Sequence, residues 1–126
     1  MKELQEALET FWSQFAPAYL AGLVPDGTPF PYITFDAARP DALGAVPLAA
    51  CLWLRREPGF DAQSRRATVL DRIAAAIPPE GVRLPLGDGF ALLERNPADF
   101  QTLLADPEDP AVLGGRTACL LRYFSL

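Results

Sequence analysis

The sequence predicts an α+β fold, an antiparallel or mixed sheet of about five strands with two helices packed on it. Three observations lead there. Apolar residues recur at helical spacing in two segments, near positions 4–15 and 62–77. Runs rich in β-branched, aromatic and aliphatic residues, bounded by Gly and Pro, lie between and after them. Finally, 126 residues at 50% hydrophobic composition, with eight Phe, three Tyr and two Trp, hold the material for one core and no second lobe. Residues 1–126 are therefore expected to form a single domain.

Leu4, Ala7, Leu8, Phe11 and Phe15 share one face of a first helix, with Glu3, Glu6, Glu9 and Gln14 largely outside that stripe and Pro17 as its stop. Trp12 lies beside the stripe and either widens the core contact or faces a partner; the core is the simpler place for it. Gly22 to Pro31, around Pro25-Asp26-Gly27, is turn chemistry and reads as an exposed loop. Tyr32 to Phe35 reads as a first strand and Val46 to Arg55 as a longer second one. Asp61 is placed to cap a second helix carrying Val69, Leu70, Ile73, Ala74 and Ile77 on one side, ended by Pro78-Pro79. Val82 to Leu86 and Phe90 to Glu94 flank Gly87-Asp88-Gly89 as a hairpin, with Pro85 assigning its first strand to an edge. Asn96 to Leu113 reads as mostly loop, with at most a helical turn near Phe100 to Leu104, and Arg116 to Phe124 as a last strand.

The second strand carries the functional expectation. Val46, Leu48, Ala50, Leu52 and Leu54 form one face; Pro47, Ala49, Cys51, Trp53 and Arg55 form the other, and both are largely apolar. A sheet with a solvated back alternates apolar with polar, so this one is expected to be covered on both sides. With only two helices available, the second layer is expected from another subunit.

Sixteen acidic against eleven basic residues give a net charge of -5, which opposes association with a polyanion. The charged opening Met1-Lys2-Glu3-Leu4-Gln5-Glu6 has no apolar core or cleavage site of a signal peptide, and no run approaches the roughly eighteen apolar residues of a membrane span. The expected place is the cytoplasm. Two cysteines, Cys51 and Cys119, without any histidine, do not make a zinc cage, and they read as buried thiols rather than a disulfide.

Without histidine, a Ser–His or Cys–His nucleophile is ruled out. Asp36 with Asp41, or Glu94 with Asp99, are candidate carboxylate pairs for hydrolysis, but their spacing marks no site and solvated carboxylates explain them. Asp106-Pro107-Glu108-Asp109 lacks the register of a calcium loop and reads as a charged exposed loop. Gly87-Asp88-Gly89 and Gly114-Gly115 lack the lysine and longer pattern of a phosphate loop and read as turns or bulges. No catalytic residue, metal or cofactor is expected. Arg55, Arg56, Arg65, Arg66 and Arg72 form either a solvated face or a surface that meets the acids of Asp99 to Asp109 on a neighbouring copy, as in a head-to-tail ring.

Several segments together resemble phage and prophage tail-terminator (tail-completion) proteins in their Firmicutes-like form: KELQEALETFWSQF, PAYLAGLVPDGTPFPYITF, LAACLWLRR, DRIAAAIPPEG, GFALLERNP and DPEDPAVLGGRTACLLRYF. The most telling are FPYITF at 30–35, after a Pro-Gly loop, and the aliphatic-plus-Trp strand at 48–54. The sequence departs from that pattern at Ala91-Leu92 and Gly114-Gly115. The resemblance implies a non-enzymatic α+β virion protein that forms a homohexameric ring on the tail tube. Such a ring ends tube polymerisation and binds the head–tail connector; the protein would occupy the host cytoplasm during assembly and then the virion tail. Its partners would be itself, the tail tube protein and the connector, with no nucleic-acid readout and no membrane. A head-completion adaptor of the connector is the alternative, and a carboxylate-dependent small-molecule hydrolase the remote one. The residues expected at contacts are Cys51, Trp53, Arg55 and Arg56 at the second strand, Asp26 and Phe30 in the first loop, and Asp106, Glu108 and Asp109 in the second.

Overall fold

The computed structural model describes residues 2–37 and 44–125. In chain order the elements are α1 (Lys2–Ser13), β1 (Ala18–Leu20), β2 (Tyr32–Phe35), β3 (Val46–Arg55), α2 (Ala62–Ala76), β4 (Val82–Leu86), β5 (Gly89–Arg95), β6 (Gln101–Ala105) and β7 (Val112–Ser125). The class is α+β with two helices, as expected. The sheet is mixed and larger than expected, with seven strands in the order β1-β2-β3-β7-β5-β4 and β6 paired to β7.

Three features enlarge it. The expected loop after Asn96 contains β6, and no helical turn forms at Phe100 to Leu104. β7 begins at Val112, four positions before the expected start at Arg116. Its first half would be an open edge beyond the end of β5, and β6 fills that edge from Gln101↔Thr117 to Ala105↔Leu113. β1, too short to signal itself, pairs in parallel with β2, and Pro17 O accepts from Ile33 N at 2.8 Å. Such marginal strands are decided by tertiary pairing and not by propensity.

β7 is the spine. It runs antiparallel to β3 from Val46↔Leu121 to Arg55↔Val112 on one side and to β5, then β6, on the other. Gly114 and Gly115, expected as turn or bulge features, sit buried inside it. A Cβ on Gly115 would lie 2.7 Å from Leu70 Cδ1 of α2; one on Gly114 would lie 2.7 Å from Leu52 O and 2.8 Å from the Trp53 ring. The glycine pair thus lets the helix press on one face and the indole on the other.

Both helices cover the same face. Ile33, Phe35, Leu48, Leu52, Leu54, Leu93, Cys119 and Leu121 point there and join Leu4, Leu8, Phe11 and Trp12 of α1 and Val69, Leu70, Ile73 and Ile77 from the α2 side in one core cluster. Trp12 is 3% exposed and meets Phe11 edge-on, so it belongs to the core. Helix α1 ends at Ser13, so Phe15 lies past it and packs half-buried against the core.

Polar groups fix the ends of the helices. Asp61 caps α2, accepting from Ser64 N at 3.0 Å and Ser64 Oγ at 2.8 Å. At the other end Arg95 donates to Ala74 O at 2.8 Å and to Ile77 O while lying over the Phe100 ring. A cation on the last carbonyls opposes the negative end of the helix dipole. Arg72 ties α2 to the end of α1 by donating to Gln14 O at 3.2 Å.

Two predictions follow from this packing. Gly114→Ala forces the Trp53 ring or the β3 backbone to move and lowers stability by about 1–3 kcal/mol, the usual cost of overpacking, read by urea denaturation. The hydrogen bonds from Ser64 hold the Asp61 carboxyl below its ordinary value. Its contribution is therefore present above the unfolded aspartate value and fades as pH falls through the lower folded value. In acid titration followed by circular dichroism, Asp61→Asn flattens that part of the curve.

Candidate assembly surface

The face of the sheet opposite the helices carries no layer among the described residues. Register arranges it in rows. Tyr32, Trp53, Gly114 and Leu104 form one row, and Thr34, Cys51, Arg116 and Thr102 the next. Ala49 stands beside Ala118, and Leu120 is flanked by Pro47 and Glu94. At the β4 end, Phe90 stacks on Phe124 with ring centroids 4.9 Å apart and Arg83 lies over Phe90 at 4.5 Å. Trp53, Tyr32, Cys51, Leu104 and Leu120 are half-buried, and Phe124 is 41% exposed.

Arg116 and Arg122 lie on this face; Glu94, between Arg122 and the β4 edge, has its Oε1 3.1 Å from Arg122 Nε in an ion pair without hydrogen-bond alignment, and Asp36 lies near Cys51. Burial pushes the Cys51 thiol up, with Arg116 opposing and Asp36 assisting. On the covered face, burial pushes Cys119 to about 12, again against the pull of Arg116. Both cysteines are free thiols, with Cys119 buried as expected and Cys51 only partly so.

The structure gathers some of the expected contact residues and separates others. Trp53 and Cys51 lie in adjacent rows of the open face. Phe30 packs on Tyr32 with centroids 5.2 Å apart, extending the aromatic row toward Tyr19. Arg55 and Arg56 are exposed at the end of β3. Arg55, read as part of either a solvated face or a surface meeting the acids of a neighbouring copy, is paired with Asp109 of its own chain at 2.7 Å, across 54 positions of sequence. That bond is the main reason the Asp109 carboxyl lies below its ordinary value. Asp106 accepts from Glu108 N at 2.8 Å, which shapes the turn into β7, and Glu108 is exposed. Asp26 is exposed in the first loop, away from the rows. Arg66 donates to Gly114 O at 3.2 Å, so together with Arg72 it serves the fold instead of forming a free basic stripe. Sequence reading missed Arg95 and Arg116, whose roles depend on pairing between distant strands.

Two of the candidate carboxylates hold hydrogen bonds within the fold. Asp36 accepts from Ala49 N at 2.9 Å, and Asp99 accepts from Thr102 Oγ1 at 2.9 Å. Asp41 lies outside the described residues. No group of three or more Cys, Asp or Glu among the described residues is arranged to hold a metal ion. A groove of about 430 Å³ between α1, the end of α2 and β4 is lined by Ala7, Phe11, Val82 and Leu84, with Arg83 its one charged side chain. No described helix is long and apolar enough to cross a membrane.

No protein-family model, curated protein or solved structure matches the chain.

The two thiols report on the two faces. Iodoacetamide is expected to alkylate Cys51 well before Cys119 in the folded chain, read by peptide mass mapping, because Cys119 is 1% exposed and harder to ionise.

Proposed function

We propose that the chain is a structural subunit that works by self-assembly, its open sheet face closed by a neighbouring molecule, in a ring of the phage tail-terminator type. The observation that carries the reading is the one-sided cover. Both helices lie on one face of the sheet, while among the described residues the other presents Tyr32, Trp53, Cys51, Leu104 and Leu120 without a layer over them. A sheet face of this composition is ordinarily packed against a second layer, and where the two helices are already used a partner can supply that layer.

The open face also supports the choice of partner. Arg116 on that face is opposite in sign to the exposed Glu6 and Glu9 on the outer side of α1 of another copy, in a chain whose net charge is -5. Sheet face against helix back joins two different patches, and such a head-to-tail contact makes a ring when its rotation closes and a filament when it does not. The tail-terminator assignment itself rests on the segments named above. It places the ring at the end of the tail tube, between tube protein and head connector, in the virion tail.

Native mass spectrometry tests the reading. A hexamer is expected on dilution; a twelve-fold ring that persists on dilution would move the assignment to a head-completion adaptor, and a monomer at all concentrations would overturn self-assembly. Trp53→Ala is expected to weaken each subunit contact by about 2 kcal/mol while leaving a folded chain, as for an aromatic anchor. Global unfolding of that variant would place Trp53 in the internal core instead.

A further inference from the structure

Among the described residues the sheet has one unguarded edge. β1 is three residues long, and β4 carries Pro85, which lacks a donor, so both are poor templates for another strand. β6 has neither guard and contains no charged residue or proline. At its two ends Ala118 N donates to Phe100 O at 2.7 Å and Asp106 N to Val112 O at 3.4 Å. The even-numbered residues between them therefore turn their backbone groups toward β7. Alternate residues of an antiparallel ladder face opposite ways, which leaves the N–H and C=O of Gln101, Leu103 and Ala105 pointing away from the sheet. Beside them the Leu103 side chain is 64% exposed.

We infer that β6 is a self-pairing edge: β6 of a second copy adds to it in antiparallel fashion across a two-fold axis centred on Leu103. In that register Gln101 faces Ala105 of the second copy and Leu103 faces Leu103, so every outward N–H meets an outward C=O. The two exposed leucines meet on one face, and Thr102 lies beside Leu104 of the other copy on the opposite face. Continued past the strand ends, the register sets Asp106 opposite Phe100 and Asp99 opposite Pro107, so no carboxylate directly faces another. The guards on β1 and β4 leave β6 as the matching edge of a second copy. A stable interface buries about 1,200–2,000 Å² in total, and edges of this length fall at or below the low end, so the pair forms with a strong concentration dependence. This contact is separate from the open face and does not rest on it.

Sedimentation of the wild-type and Trp53→Ala chains over a range of concentrations tests the inference. With the open-face contact weakened, the Trp53→Ala chain is expected to show a monomer–dimer equilibrium. Leu103→Pro removes the outward N–H without touching the ladder to β7 and should raise the dimer Kd about tenfold or more. Leu103→Lys keeps the backbone and sets two like charges side by side; it should do the same, and it serves if the proline variant does not fold. Absence of dimer in both chains, or a dimer that neither substitution weakens, overturns the inference. Loss of the ring in Trp53→Ala with the dimer retained bears out both contacts. A wild-type chain that pairs through β6 but forms no ring refutes only the open-face reading.

Discussion

Close approach on both sides of β7 governs the arrangement of the molecule. The strand is hydrogen-bonded to β3 along ten register pairs and shares its other edge between β5 and β6. At Gly114 and Gly115 it carries no side chain, so Trp53 lies against one face and Leu70 of α2 against the other. A methyl group at either position would separate layers that are now in contact. The seating of α2, and through Arg72 the docking of α2 against the end of α1, follow from that contact.

Because α2 is fixed there and α1 joins the same core, the opposite face has no covering layer among the described residues. The result is a two-layer domain whose second sheet face mixes aromatic, aliphatic and arginine side chains. Small residues, Ala49 and Ala118, lie at its middle and are buried by their neighbours, while Tyr32 and Trp53 stand at one end and Phe90 and Phe124 at the other. The described carboxylates weighed for chemistry hold backbone or side-chain partners of the fold, as Asp36, Asp99, Asp106 and Asp109 do.

Much of this was legible locally. The stripe of α1, the Asp61 cap and Pro78-Pro79 stop of α2, the span of β3 and the hairpin around Gly87 are each signalled by residues within a turn or two. The two apolar faces of β3 also indicated a sheet with more surface to cover than two helices provide. What sequence did not reveal depends on distant partners. β6 is a strand because β7 offers it an edge, Arg95 is a helix cap because β5 ends beside α2, and Arg55 meets Asp109 because β3 and β7 are aligned. The glycine pair was misread for the same reason, since glycine inside a strand signals close packing only when the pressing groups are known.

Trp53 offers the most direct test of the central claim, because the only other tryptophan, Trp12, is buried in the core. Acrylamide quenching of tryptophan fluorescence, followed on dilution, reports whether the open face is covered in solution. Quenching that is weak at high concentration and rises as the protein is diluted is the result this account predicts. Quenching by an accessible indole that stays the same at every concentration would contradict it.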